Sequence, residues 1–174
     1  MRSSSTEPAR PAAERQPPAF AVKAPLAAPV ELAGNGAGTG AETGAVQGAS
    51  AAAPLVLARQ KTMYGGKAIA PGDRVFLFAS ETAGGRGLFA CGTVTAAEAV
   101  PHTPGLARQT PRVTIALRLD ALALRPLGRR ELKPFADWSD GRPETELNFK
   151  LYRQATDKIV GLSAATAAFL EEFF

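Results

Sequence analysis

The segment Arg74-Val75-Phe76-Leu77-Phe78-Ala79-Ser80 constrains this chain more than any other. Both of its alternating faces are apolar, Val75 and Leu77 on one, Phe76 and Phe78 on the other. Successive strand side chains point to opposite sides, so such a strand must be covered on both. It predicts a central place in a sheet or barrel with a further layer packed outside. Pro71-Gly72-Asp73 turns the chain into this strand and Ala83-Gly84-Gly85-Arg86-Gly87 turns it back. Leu88 to Ala96 reads as the hairpin partner, with Gly92 marking the bulge or bend that small barrels require.

Arg112 to Asp120 alternates cleanly, which predicts Val113, Ile115, Leu117 and Leu119 toward the core and Arg112, Thr114, Arg118 and Asp120 outward. Leu55-Val56-Leu57-Ala58 reads as the first strand. Arg59 to Lys67 reads as a loop because of its paired glycines, and Val100 to Pro111, with three prolines, as a surface loop. Gly128 to Phe135 predicts a short helix or turn, and Ala136 to Phe149 a polar connection holding the lone Trp138. Lys158 to Leu162 predicts a last short strand. Ser163 then caps a helix running to Phe173, with Ala165, Phe169 and Phe173 sharing its buried face. The expected class is α+β, mainly β: a small, strongly bent sheet or barrel with peripheral helices.

The 174 residues divide by composition into two parts, 1–53 and 54–174. The first part holds sixteen alanines, six prolines and one aromatic residue, Phe20. Such a segment buries too little apolar surface to offset the entropy of ordering its backbone, so it is expected to be a disordered, low-complexity tail. Residues 54–174 carry Trp138, both tyrosines and eight phenylalanines, enough for one core. The tail is charge-balanced, so the net charge of +4 belongs to the domain. That excess permits contact with phosphate without demanding it. The single Cys91 excludes an intrachain disulfide and a thiolate metal cluster. No apolar run approaches the roughly 20 residues of a membrane-spanning helix, and prolines and acids spoil the tail as a leader. The expected location is the cytoplasm.

Residue types argue against catalysis. His102 is the only histidine and lies between Pro101 and Pro104, where it is expected to be solvated. Nothing near it resembles a nucleophile elbow. Glu144, Glu146, Asp137 and Asp140 read as loop charges, and Gly34 to Gly40 lacks the spacing and lysine of a phosphate loop. No catalytic residue, metal or cofactor is expected. What stands out is a surplus of groups suited to nucleic acid: Lys61, Thr62, Tyr64 and Lys67 in the first loop, then Trp138, Phe149, Tyr152, Arg153 and Gln154. Aromatic faces stack on bases, amides read base edges, and Lys and Arg neutralise phosphate. On residue types alone the aromatics could equally close a barrel mouth, with Arg153 paired to Asp157.

Gly72 to Ser80 followed by Gly87-Leu88-Phe89-Ala90-Cys91-Gly92-Thr93-Val94 resembles the signature of EVE-type domains in the PUA-like superfamily. Val113 to Leu119, Arg153 and Leu162-Ser163-Ala164 to Leu170 extend the resemblance over roughly residues 55–174. Leu55 to Ala58 stands where that pattern usually opens with a tryptophan-bearing strand. The resemblance implies a PUA-like pseudobarrel of five to six strands with peripheral helices. It also implies a non-catalytic module that binds DNA or RNA, in several members by taking a modified base into an aromatic-walled pocket. Ser80 would then lie at the pocket rim, with Lys61 to Tyr64 and Trp138 as candidate walls. The expected base-binding set is Trp138, Tyr64, Ser80, Tyr152, Gln154 and Thr62. Phosphate would meet Arg59, Lys61, Lys67, Arg86, Arg129, Arg130, Lys133 and Arg153. The alternative is a small protein-interaction or ligand-sensing domain using the same barrel mouth without nucleic acid.

Overall fold

The computed structural model describes residues 19–24, 54–153 and 158–174. Six strands close a mixed barrel: β1 (Ala19–Ala24), β2 (Leu55–Met63), β3 (Arg74–Ala79), β4 (Gly87–Ala99), β5 (Arg112–Leu122) and β6 (Lys158–Gly161). Around the barrel the order is β1-β3-β4-β5-β2-β6. The β1–β3 and β2–β6 pairs are parallel and the other four antiparallel. This is the small pseudobarrel expected from the sequence, closed by six strands.

β3 explains the two-layer design. Val75 and Leu77 point into the barrel, where they meet Phe20, Val22, Leu57, Ile115 and Ile159. Phe76 and Phe78 point outward under a second apolar cluster built from Leu132, Leu147, Leu151 and Leu170. That outer layer is supplied by α1 (Arg129–Leu132), α2 (Pro143–Leu147), a π-type turn continuing it over Asn148–Arg153, and α3 (Ala164–Glu171). α3 is tied to the barrel by a two-pronged contact from Arg74 Nε and Nη2 to the Glu171 carboxylate, both 2.8 Å. The register slips at Cys91/Gly92 in the β4–β5 pair, as expected for Gly92. A side chain there would run into the Arg118 carbonyl.

The boundary of the domain is the main correction. Residues 19–24, assigned on composition to the tail, form β1 between β3 and β6. Low aromatic content over 53 residues hid a six-residue alternation: Phe20, Val22 and Ala24 point inward, while Ala19, Ala21 and Lys23 point outward. Phe20, the tail's one aromatic residue, is 2% exposed in the core. Leu55–Ala58 is accordingly the second strand. The expected disorder of residues 1–18 and 25–53 falls outside the described residues.

Three smaller expectations also shift. β2 runs on to Met63 through most of the expected Arg59–Lys67 loop, because a bulge between Leu57 and Gln60 lets the strand resume pairing. Trp138–Asp140 forms a 3-10 turn within the expected irregular connection. On α3 the buried positions are Thr166 and Leu170, followed by Phe173, while Ala165 is exposed and Phe169 partly buried. The helix lies on the barrel through the Thr166–Leu170–Phe173 line instead of the one read from the aromatics. Ser163 does cap it, accepting from the Thr166 amide at 3.2 Å.

Deleting the Phe20 ring from a sealed barrel leaves a cavity that β1, pinned on both edges, cannot collapse. Phe20→Ala is expected to cost about 3–5 kcal/mol, read as a fall in the urea midpoint at unchanged slope. A loss under about 1 kcal/mol would mean that β1 is not an integral strand.

Candidate functional site

The expected site residues fall into three separate places. The first is a cleft of about 670 Å³ at the end of the barrel where β1 begins and β6 finishes. Tyr64 and Trp138 line it, together with Arg142, Glu146, Lys150 and Ser163. Trp138 is 56% exposed and Tyr64 39% exposed. Behind them Phe149 stands 4.2 Å from the Trp138 ring and 6.3 Å, edge-on, from that of Tyr64. The turn carrying Trp138 is fixed by its own carboxylates. Asp137 accepts from the Ser139 amide and hydroxyl, and Asp140 accepts from the Arg142 amide and the Thr145 hydroxyl. The indole is therefore exposed on a held platform. Gly161 forms part of the floor, since any side chain there would strike the Tyr64 carbonyl. Lys67 is exposed on the short turn beyond Gly65.

Glu146 is not the solvated loop charge expected. Burial alone would push its carboxyl up, but the Lys150 ammonium, the Ser163 hydroxyl and amide and the Thr166 hydroxyl hold it below its usual range. It anchors the start of α3 and is paired there with Lys150, which lines the same cleft.

The second place is a pocket of about 410 Å³ between β2 and the β4–β5 loop, where Arg59 and Lys61 meet Arg108 and Arg112. His102 lines it too, exposed as expected. The two non-glycine residues with left-handed backbone among those described are Arg59, φ 52°, and Tyr64, φ 48°. One lies in each cavity. That conformation costs a side-chain-bearing residue on the order of 1 kcal/mol or more.

The third place surrounds Glu81. Lys23, 5% exposed, puts its ammonium 2.8 Å from one Glu81 oxygen and 3.8 Å from the centre of the Tyr152 ring. The Tyr152 hydroxyl donates to the other oxygen at 2.7 Å, as does the Arg129 amide at 2.9 Å. Burial would raise the Glu81 carboxyl, yet these three donors hold it below its usual range. Burial, and then the Glu81 carboxylate, pushes the Tyr152 hydroxyl well above the ordinary tyrosine range, so it stays a neutral donor. Ser80 is buried beside this knot, its hydroxyl 2.9 Å from that of Thr82 and its carbonyl taken by the Ala83 and Gly85 amides. Arg86, Arg129, Arg130, Lys133 and Arg153 are exposed on the hairpin turn, α1 and the π-type turn. Arg130 pairs with Glu131 at 3.0 Å.

Tyr64 and Trp138 are thus brought together as expected, but Tyr152 and Ser80 are not beside them. Thr62 is buried, and its hydroxyl and amide both donate to the Pro111 carbonyl, so it faces β5 instead of the cleft. Gln154, and Asp157 as a partner for Arg153, lie outside the described residues. Sequence reasoning missed Arg108 and left Arg112 as an ordinary outward strand residue. It also missed Arg142, because nothing local shows that loops far apart in the chain share a cavity. Cys91 is buried, and no group of three or more His, Cys, Asp or Glu converges among the described residues.

Two solved structures are similar to this chain. Human THYN1 protein in complex with 5-methylcytosine-containing DNA shares 16% identity over 62% of this chain and 68% of that one, at a TM-score of 0.44. The DUF55 domain of human thymocyte nuclear protein 1 shares 15% over 62% and 69%, at 0.44. Neither a protein-family model nor a curated protein matches the sequence.

Removing the Glu81 charge strands the Lys23 ammonium in apolar surroundings. Glu81→Gln is expected to destabilise by about 2–4 kcal/mol, measured by denaturant unfolding at neutral pH. Because the folded-state carboxyls of Glu81 and Glu146 are lowered, their contribution is present above the ordinary glutamate value of about 4.3 and fades as pH falls through their folded values. Glu81→Gln should therefore flatten the acid limb of stability against pH. An unchanged limb would show that the knot carries no such linkage.

Proposed function

We propose that this chain is a non-catalytic nucleic-acid-binding module of the cytoplasm whose Tyr64–Trp138 cleft receives an unstacked base, a modified base among its targets. The carrying observation is an indole 56% exposed yet braced on Phe149, with Tyr64 lining the same cleft. An aromatic side chain left half in water forgoes part of the roughly 1.5–3 kcal/mol that full burial returns, and a stacked base would recover that part. Of the polar groups on the cleft, exposed Arg142 carries donors suited to a base edge, while Lys150, Glu146 and Ser163 are bonded to one another at the start of α3. The EVE-type resemblance of residues 55–174 supports the same reading.

Magnitudes favour single strands. Extruding a base from a duplex costs a few kcal/mol, while stacking returns about 1–3 kcal/mol per base. One aromatic wall therefore roughly offsets extrusion, and an already unpaired base keeps the whole gain.

The test is fluorescence anisotropy of labelled single-stranded and duplex oligonucleotides carrying cytosine or 5-methylcytosine. Trp138→Ala is expected to weaken single-strand binding about 5- to 100-fold and to erase any preference between the two bases. Because Trp138 is largely exposed, its thermal midpoint should stay close to that of the parent. Equal binding by parent and variant would sink the base-reading cleft. No binding by the parent at low salt would move the reading to an interaction domain.

A further inference from the structure

We infer that the pocket formed by Arg59, Lys61, Arg108 and Arg112 is a binding site for clustered phosphate groups, distinct from the aromatic cleft. It deepens the nucleic-acid reading and rests on that reading only for one source of the phosphates, the sugar–phosphate backbone. The other source is a free polyphosphate.

Three independent observations converge on it. The register sets Lys61 opposite Arg112 in the β2–β5 pair and opposite Lys158 in the β2–β6 pair. Like charges directly opposite in a sheet repel, and the one internal hydrogen bond that the four pocket side chains make among the described residues runs from Arg112 Nη1 to the Arg59 carbonyl. None of the four pocket cations takes part in an ion pair among the described residues. By contrast, neighbouring Arg74 and Arg118 are both matched by Asp120. The pocket therefore concentrates positive charge that the chain neutralises elsewhere on the same sheet.

The second observation is conformational. Arg59 occupies left-handed backbone, φ 52°, at the bulge of β2. Glycine would sit there without strain, so the fold does not call for an arginine. The contacts made at Arg59 are all through its backbone: its amide donates to the Thr114 hydroxyl and its carbonyl accepts from Arg112 Nη1. Its guanidinium is exposed and serves none of these contacts.

The third is preorganisation of the opposite wall. The Gln109 side chain spans the β4–β5 loop, accepting from the Thr103 amide at 2.8 Å and donating to the Thr103 and Leu106 carbonyls at 2.7 and 3.2 Å. The Val100 amide closes its base on the Arg112 carbonyl. Arg108 is thus presented from a braced loop across from Arg59 and Lys61. Guanidinium forks suit phosphate oxygens geometrically as well as by charge. A cavity of about 410 Å³ has room for more than one phosphate group.

The experiment uses the full chain with two probes, inorganic tripolyphosphate followed by calorimetry and a labelled single-stranded oligonucleotide followed by anisotropy at several salt concentrations. Arg59→Gly removes the guanidinium while keeping the backbone contacts and relieving the strained conformation. Arg108→Ala removes the opposite cation, and Arg118→Ala, outside the pocket, controls for the same change in net charge. Arg59→Gly and Arg108→Ala are each expected to weaken tripolyphosphate about tenfold, with Arg118→Ala near the parent. Parallel weakening of the oligonucleotide, with a salt slope smaller by about one per cation, assigns the phosphates to a nucleic-acid backbone. Weakening of tripolyphosphate alone assigns them to a free polyphosphate. No tripolyphosphate binding by the parent, or equal losses in Arg118→Ala, overturns the site. Trp138→Ala should leave tripolyphosphate affinity unchanged, so a failed base-reading cleft and a failed phosphate pocket give different patterns.

Discussion

The structure depends on the insertion of β1 between β3 and β6. Without it the remaining strands form an open, curled sheet with two free edges, β3 and β6, each presenting unpaired amides and carbonyls. Closure satisfies both edges at once and seals the interior with Phe20 and Val22. It also fixes things far from the core. Ala19 and Phe20 become part of the aromatic cleft, and Lys23 is carried outward into the Glu81–Tyr152 knot. One short strand therefore sets barrel, cleft and knot together.

The polar features of the molecule fall into two physical kinds. Glu81 and Glu146 are engaged internally: each carboxylate faces several donors, sits beneath a helix or turn start, and is held ionised against the cost of burial. Such centres specify geometry and leave little capacity for a ligand. The cations at Arg59, Lys61, Arg108 and Arg112 are the opposite, exposed or half-buried, mutually repelling and without a carboxylate among the described residues. Tyr64 and Arg59 share strained backbone, and each opens onto a cavity. Strain and unbalanced charge in a fold whose core is otherwise well satisfied are the usual marks of surfaces kept for binding.

Much of the fold was legible because period-2 patterning reports burial directly. The doubly apolar β3 announced both an interior and an outer layer, and the clean alternation of β5 announced one buried face. β1 was not legible by the same route. Averaging over a 53-residue alanine- and proline-rich stretch diluted six residues of alternation, and a strand with only one large apolar side chain carries little signal. Within the candidate site, Tyr64 and Trp138 were recoverable from residue type, since exposed aromatics near turns are few. Tyr152 and Ser80 were misplaced because residue type cannot distinguish a hydroxyl aimed at a base from one aimed at a buried carboxylate. Arg108 was missed because its role depends on a loop meeting β2 across a cross-strand register that no local window contains.

The position of β1 also has a consequence in time. Its two neighbours are made late relative to it: β3 begins about fifty residues further along the chain, and β6 nearly 140. During synthesis Phe20 and Val22 leave the ribosome long before the cavity that buries them exists, and the cylinder stays open until residues 158–161 arrive. Contacts of such long sequence separation form slowly, so the nascent chain passes through a stage with a complete β3–β4–β5–β2 sheet and two unsealed edges. That stage is where a chaperone, or another nascent copy, would find this protein most receptive.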